Sequence, residues 1–128
     1  MMNCVVTVMD FTSKNDLNAL LFQDNGGPIF AGANNFPLRG GKYADFEGGV
    51  RGAAFASGGY IPSKVRGTKI ADPMHLADWY ATFAAMAGVN PTDHSAAGAK
   101  LPAIDGVNLW PRLSGASASA PREEVISC

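Results

Sequence analysis

The chain has 128 residues, of which 47% are hydrophobic and 16% are charged. This length accommodates one domain with a buried core and is too short for two domains, and the balance of residue types argues against an intrinsically disordered chain. The net charge is −1, and the sequence has neither a basic stripe nor an acidic tail. The charge distribution therefore argues against a nucleic-acid-binding protein. No apolar run reaches the ~18 residues that a membrane-spanning helix needs.

The cysteines and the N-terminal residues carry little functional signal. Cys4 and Cys128 stand near opposite ends of the chain and have no metal-ligand spacing. We interpret both as inert thiols. The first residues lack a basic segment followed by an apolar stretch, so we expect no signal peptide.

Short apolar segments alternate with turn-rich sequence in the first half of the chain. Residues 1–14 fit no single apolar period, and we interpret them as a partial helix. Residues 20–22 predict a buried strand that ends at a turn, and residues 50–56 predict a second buried strand. Between the strands, residues 29–47 are punctuated by Gly, Asn and Pro. They predict a long loop, ordered or disordered, and loops of this length in compact domains are usually functional.

The strongest helix signal lies at residues 72–88. Asp72 is a candidate N-cap, Pro73 suits the first helical position, and Gly88 is a stop signal. An apolar stripe runs between them at helical spacing. Three further segments follow: a loop at 90–102, a short apolar segment at 104–113, and the beginning of a strand at 124–128.

The order of strand, long loop, strand and helix predicts an α/β fold. Ligands in such folds bind beyond the carboxyl ends of strands, and Asp24 and Asn25 follow one of these ends. Their carboxylate and amide oxygens are hard ligands of the kind that calcium or magnesium takes. An ordinary turn explains the sequence Asp-Asn-Gly-Gly as well, so the residues alone leave both interpretations open.

Basic residues supply the second group of candidates. Lys42 follows two glycines, which let the backbone approach a ligand, and its ammonium group is a point charge suited to an anion. A solvated surface lysine is the alternative. Arg39 and Arg51 could likewise bind an anion or lie at the surface, and they are equally compatible with structural pairing to Asp45 or Glu47.

Histidines and serines give weaker signals. His75 and Asp78 stand three residues apart on the predicted helix and share a face. We favour a structural hydrogen bond between them over a catalytic pair. His94 lies in a predicted loop with no partner in view, and no serine occupies a Gly-x-Ser-x-Gly elbow.

Five segments of the sequence follow one another in an order that is characteristic of one protein family. They are Asp-Asn-Gly-Gly-Pro at 24–28, Asn-Asn-Phe-Pro-Leu-Arg-Gly-Gly-Lys at 34–42, Phe-Glu-Gly-Gly-Val-Arg-Gly at 46–52, Met-His-Leu-Ala-Asp-Trp-Tyr-Ala-Thr at 74–82, and Ile-Asp-Gly-Val-Asn-Leu-Trp-Pro at 104–111. Together they resemble the type I sulfatases, and most closely the arylsulfatase B-like group. The resemblance covers residues 18–125, and residues 1–17 more loosely resemble the helix that precedes the metal-binding strand in that family.

The resemblance implies a partial alkaline-phosphatase-like α/β fold, in which an incomplete sheet is flanked by helices. Residues 1–120 would be the C-terminal half of a sulfatase catalytic domain, and residues 121–128 the truncated start of its C-terminal subdomain. The implied activity is hydrolysis of a sulfate ester, such as a sulfated sugar or an aryl sulfate. Family members are mostly lysosomal, secreted or periplasmic.

The resemblance also implies roles for three residues. Asp24 and Asn25 match an Asp-Asn pair that binds calcium in these enzymes together with two aspartates near the N-terminus. Lys42 matches a lysine that contacts the sulfate oxygens, where its charge would help to stabilise the transition state. The nucleophile of the family is a formylglycine made from the cysteine of a Cys-x-Pro-Ser-Arg motif.

This sequence departs from the family pattern in important places. It contains neither the Cys-x-Pro-Ser-Arg motif nor the paired aspartates, and residues 43–45 differ from the usual residues beside the lysine. Residues 80–82 lack the usual Pro before Thr, and Phe-Gln at 22–23 stands where a Ser usually precedes the Asp. We therefore expect a sulfatase fragment that is inactive alone, with its formylglycine in a missing N-terminal half. The alternative is a non-catalytic, sulfatase-derived module that binds an anion or a partner.

Overall fold

The computed structural model describes residues 5–9 and 19–125, with side chains described from residue 23 onwards. Four strands form one open sheet: β1 (Val5–Met9), β2 (Ala19–Phe22), β3 (Ala53–Ser57) and β4 (Lys69–Ile70). Their order across the sheet is β2-β3-β1-β4. Strand β1 runs parallel to β3, whereas β2 pairs antiparallel with β3 and β4 pairs antiparallel with β1. The sheet is therefore mixed.

Four short helices accompany the sheet: α1 (Glu47–Val50), α2 (Asp78–Met86), α3 (His94–Gly98) and α4 (Trp110–Leu113). Single 3₁₀ turns lie at Ile29–Ala31 and Ser63–Val65. In the part of the chain with described coordinates, no helix has the length and apolar character needed to span a bilayer. The arrangement is a mixed helix and strand structure, in agreement with the α/β class at this coarse level.

The core lies where alternate residues of β3 contact the helices. Ala54 and Ala56 are buried there, and their small side chains leave room for the larger Trp79, Leu109 and Leu113. Alternation of this kind is expected where one face of a strand packs on a core. The side chain of Thr82 adds a polar link, because its hydroxyl accepts a hydrogen bond of 2.9 Å from the backbone N–H of Leu109. This bond joins α2 to the segment that leads into α4.

The strands agree with the sequence prediction at β2 and β3 and disagree with it at β1. Strand β3 begins at Ala53 rather than at residue 50, because Glu47–Val50 form α1. The partial helix predicted for residues 1–14 is wrong at Val5–Met9, which pair with β3 over five residues. The strand conformation of this segment depends on pairing with β3, which is distant in the sequence. The apolar periodicity of residues 1–14 contains no information about that pairing. The rest of residues 1–14 lies outside the described residues.

The helix predicted at residues 72–88 ends as expected but begins later. Gly88 has a φ of 68°, a left-handed conformation that suits glycine, and α2 ends just before it. Asp72 does not cap α2, because its carboxylate forms an ion pair with the Arg112 guanidinium. The first turn of α2 begins at Asp78 instead.

The last third of the chain contains more helix than the sequence analysis predicts. The predicted loop at 90–102 includes α3, whose N-terminus is capped by Asp93 through a 2.9 Å hydrogen bond from the Ala96 N–H. The apolar segment at 104–113 ends in α4. Of the strand predicted at 124–128, Glu124 and Val125 have no regular secondary structure, and residues 126–128 lie outside the described part.

Candidate functional site

The two sequence segments with candidate ligands are joined by backbone hydrogen bonds. The N–H of Lys42 donates to the carbonyl of Gly27 at 3.1 Å, and the N–H of Gly26 donates to the carbonyl of Gly49 at 2.9 Å. Asn25 immediately precedes Gly26, so these bonds fix the end of the β2 segment beside the backbone of Lys42. The long loop between β2 and β3 is ordered for this reason.

Asn35 holds the interior of the same loop. Its amide oxygen accepts from the N–H of Gly27 at 2.9 Å, and its amide nitrogen donates to the carbonyls of Gly27 at 2.8 Å and Gly40 at 3.2 Å. The Asn35 side chain therefore supplies hydrogen-bond partners to the backbone of Gly27 and Gly40, as a neighbouring strand would do in a sheet. Gly40 lies two residues before Lys42, so Asn35 also restrains the approach to the lysine.

Glycine is required where these segments touch. A Cβ atom on Gly26 would lie 1.7 Å from the carbonyl oxygen of Gly48, and one on Gly41 would lie 2.6 Å from the carbonyl oxygen of Gly27. Any side chain at either position would separate the segments. The glycines at positions 26 and 41 thus reflect close packing of the backbone around the candidate residues.

Asp24, Asn25 and Lys42 line one cleft of about 420 Å³, which Asp45 and His75 also line. We call it the Lys42 cleft. Asp24 and Lys42 are exposed and Asn25 is half-buried. The structure therefore brings the three sequence-predicted site residues to the same concave surface. It places them at the end of β2 that adjoins the start of β3, because those two strands are antiparallel.

The metal-ligand prediction concerns Asp24 and Asn25. The Asn25 amide nitrogen donates to the Asp24 carboxylate at 2.8 Å, so the two side chains contact each other. Their hard oxygens suit calcium in kind, but calcium takes six to eight such ligands. Within the described ranges, no group of three or more His, Cys, Asp and Glu side chains is arranged to bind a metal ion. Asp24 and Asn25 by themselves therefore do not make a calcium site.

The arginines of this region are engaged in other contacts. The guanidinium carbon of Arg39 lies 4.0 Å above the centre of the Phe46 ring, a cation–π contact. Arg51 pairs with Glu47 at 3.2 Å, which is one of the structural pairings expected from the sequence. Lys42 is the cationic side chain among the described residues that line the Lys42 cleft.

The hydrogen bond predicted between the side chains of His75 and Asp78 is not formed, because His75 lies before α2 and bonds to Asp78 through its backbone. The backbone N–H of His75 donates to the Asp78 carboxylate at 2.8 Å. The ring nitrogen Nδ1 of His75 instead accepts from the N–H of Ala77 at 3.2 Å. His94 begins α3 and does not line the Lys42 cleft.

Asp78 is fully buried and belongs to the core rather than to the Lys42 cleft. Its carboxylate accepts hydrogen bonds from the Arg122 guanidinium at 2.6 to 3.0 Å and from the Val107 N–H at 2.9 Å. Burial by itself would raise the pKa of Asp78, but the hydrogen bonds from Arg122, Val107 and His75 outweigh burial and hold the pKa below its ordinary value. Asp78 is therefore an ionised structural group.

Sequence reasoning missed two features of the Lys42 cleft. Tyr43 lines it beside Lys42 and has a left-handed backbone conformation, with a φ of 76°. The structural role of Asn35 was also unassigned. An Asn within a glycine-rich loop is a signal for side-chain bonding to the backbone, but it does not identify which backbone groups are bound.

Comparison with known proteins finds a similarity that extends across nearly the whole chain. Arylsulfatase J from Mus musculus is 30% identical over 125 residues, which are 97% of this chain and 19% of that protein. The chain thus spans about a fifth of the length of this curated relative. No protein-family model matches the chain, and no solved structure matches it. The similarity to Arylsulfatase J supports a sulfatase relationship and does not distinguish the arylsulfatase B-like group from other sulfatases.

Proposed function

We propose that this chain is part of a sulfatase, an enzyme that hydrolyses sulfate esters, and that the Lys42 cleft is one side of its active site. One observation carries the proposal. Asp24, Asn25 and Lys42, to which the sequence resemblance assigns roles, line a single cleft in a chain 30% identical to Arylsulfatase J over 125 residues. The arylsulfatase B-like subtype, the alkaline-phosphatase-like fold and the division at residues 120 and 121 are parts of this proposal.

Lys42 is proposed to contact the sulfate group. Its backbone is fixed to Gly27, while its side chain is exposed at the Lys42 cleft. A fixed backbone with a solvent-exposed side chain allows the ammonium charge to follow the sulfate oxygens as negative charge develops on them. An ammonium placed in this way stabilises the transition state more than the ground state.

Asp24 and Asn25 are proposed as two ligands of a calcium ion. A bound calcium ion would add positive charge near the sulfate oxygens. Two side-chain ligands do not complete its coordination. The remaining ligands and the formylglycine nucleophile would come from residues outside this sequence, and the chain alone would not turn over substrate.

Binding by the 128-residue chain tests the role of Lys42. We expect inorganic sulfate and 4-nitrophenyl sulfate to shift the amide resonances of residues around the Lys42 cleft in an NMR titration. Lys42→Ala should weaken both ligands by about tenfold, the loss of one charge-assisted contact of roughly 1.5 kcal/mol. Lys100→Ala is the matched control, since Lys100 is an exposed lysine outside the cleft. Equal binding by wild type and Lys42→Ala would refute the assigned sulfate contact.

Sequencing of the transcript that encodes this chain tests the enzymatic part of the proposal. We expect an open reading frame upstream of residue 1 that contains a Cys-x-Pro-Ser-Arg motif and paired aspartates. In that longer protein, Asp24→Ala and Lys42→Ala should each abolish hydrolysis of 4-nitrophenyl sulfate. A stop codon in frame immediately upstream would refute the enzyme and favour a non-catalytic, sulfatase-derived binding module.

A further inference from the structure

Two exposed aromatic side chains stack on each other, one lining the Lys42 cleft and the other outside its lining. Tyr43, which lines the cleft, and Phe30 are each 82% exposed. Their rings are nearly parallel, with an angle of 13° between the planes and 6.2 Å between the centroids. A pair of large aromatic rings left open to solvent beside a cleft with charged residues is typical of a binding surface. We call this pair the aromatic platform.

The backbone of Tyr43 gives an independent reason to assign it a role. Its φ is 76°, and the N–H of Ala44 bonds to the carbonyl of Gly41 at 3.0 Å, which places Tyr43 third in a tight turn. Turns with a left-handed third residue strongly favour glycine or asparagine. Tyrosine is strained there, and its exposed ring does not compensate by packing in the core. Strained residues of this kind cluster at functional sites.

The charge next to the platform indicates what the rings contact. The ammonium nitrogen of Lys42 lies 5.6 Å from the centre of the Tyr43 ring. The cation lies over the Tyr43 ring, and the neighbouring Phe30 ring continues the aromatic surface. This pairing complements a ligand in which an anion is attached directly to a ring that has an apolar face.

We propose that Tyr43 and Phe30 form a platform for the ring that carries the sulfate group, and that they select ring-bearing sulfate monoesters over alkyl sulfates. The inference rests on the proposed function, because Lys42 must bind the sulfate for the ring to reach the platform. Aromatic sulfates and sulfated pyranoses share the feature that matters here, which is a six-membered ring with an apolar face. Stacking between such faces strengthens binding without any hydrogen bond.

Titrations of the 128-residue chain with four ligands test the platform. Inorganic sulfate and methyl sulfate lack a ring, whereas 4-nitrophenyl sulfate and glucose 3-sulfate carry the sulfate directly on an aromatic ring and on a pyranose ring. We expect wild type to bind the ring-bearing esters about two- to tenfold more tightly than methyl sulfate. Tyr43→Gly should remove this preference and leave inorganic sulfate binding within about twofold. Tyr43→Phe should retain the preference.

Two controls separate binding from folding. Tyr80→Ala removes a tyrosine that is 56% exposed and lies outside the Lys42 cleft, and it should leave the preference intact. Tyr43→Gly should melt at the wild-type temperature or above it, because glycine relieves the strained backbone. A lower melting temperature together with an unchanged preference would show a structural role and overturn the platform.

The outcomes distinguish the platform from the sulfate site on which it rests. Equal affinity of wild type for all four ligands would overturn the platform while the sulfate contact stands. A second outcome is a ring preference that depends on Tyr43 while Lys42→Ala leaves the affinity for every ligand unchanged. This outcome would overturn the sulfate contact, and with it the requirement that Lys42 binds the sulfate before the ring reaches the platform. A preference for only one of the two ring-bearing esters identifies whether the ring is aromatic or a pyranose.

Discussion

Asp78 shows how one residue can join distant parts of this chain. It begins α2, accepts a hydrogen bond from the residue three positions before it, and binds the backbone of Val107 and the side chain of Arg122. Arg122 in turn donates to the backbone carbonyl of Asp105 at 2.7 Å. A carboxylate buried completely is stable only when its charge is compensated in this manner.

Replacement of Asp78 by Asn should therefore destabilise the protein strongly. The substitution keeps the size of the side chain but leaves the Arg122 guanidinium, whose side chain is 20% exposed, without its counter-ion. We expect the free energy of unfolding to fall by about 3 kcal/mol in urea denaturation, the lower end for a broken buried pair. Glu47→Gln is the matched control. It breaks the more exposed pair with Arg51 and should cost less than about 0.5 kcal/mol.

The difference between wild type and Asp78→Asn should also depend on pH. The pKa of Asp78 in the folded chain lies below its ordinary value of about 3.9 in an unfolded chain. The carboxylate therefore contributes its full stability above about pH 4, and this contribution is lost as the pH falls through the folded pKa. We expect the gap in unfolding free energy to narrow when the pH is lowered from about 7 to about 3. A gap that is constant over this range would contradict an ionised Asp78.

The loop between β2 and β3 is the element that positions the Lys42 cleft, and Asn35 is its main side-chain support. Asn35→Ala removes three hydrogen bonds, each worth roughly 1 kcal/mol. We expect faster hydrogen exchange at the Gly27 and Lys42 amides and weaker binding of sulfate. The far strand pairs of the sheet should exchange at the wild-type rate, because the loss is local.

Asn34 provides the matched control for this prediction. It is the neighbouring amide, and its side-chain oxygen accepts one exposed bond, from the Phe36 N–H at 2.9 Å. Asn34→Ala should change exchange at Gly27 and Lys42 by much less than Asn35→Ala does. Equal effects of the two variants would show that loop order does not depend on the three bonds of Asn35.

Elements defined by local signals were the predictable part of this fold. The turn after β2 and the helix stop at Gly88 depend on residues adjacent in the sequence, and both are confirmed. Strand β1 depends on pairing with β3, and the late start of α2 accompanies an ion pair between Asp72 and Arg112, forty positions apart. Local periodicity contains neither contact. For the same reason, the sequence indicated Lys42 as a candidate but gave no signal that Tyr43 and His75 share its cleft.

At the scale of the whole molecule, the open sheet and the Lys42 cleft show one side of a proposed site. The sheet has β2 and β4 at its edges, and the chain corresponds to about a fifth of Arylsulfatase J in length. The resemblance assigns two residues of this sequence, Asp24 and Asn25, to calcium binding. A ligand count of this size determines how tightly the chain alone can hold the ion.

Calcium binding by the isolated chain should accordingly be weak. Asp24 and Asn25 supply two of the six to eight oxygens that the ion takes, so water must occupy most of its coordination sphere. We expect isothermal titration calorimetry to give a dissociation constant of about 1 mM or weaker, and Asp24→Ala to remove the residual heat. Asp105→Asn is the control, because Asp105 is an exposed carboxylate outside the Lys42 cleft. Micromolar binding that Asp24→Ala abolishes would mean that this chain contains a complete calcium site, and the proposal that other residues must complete it would fail.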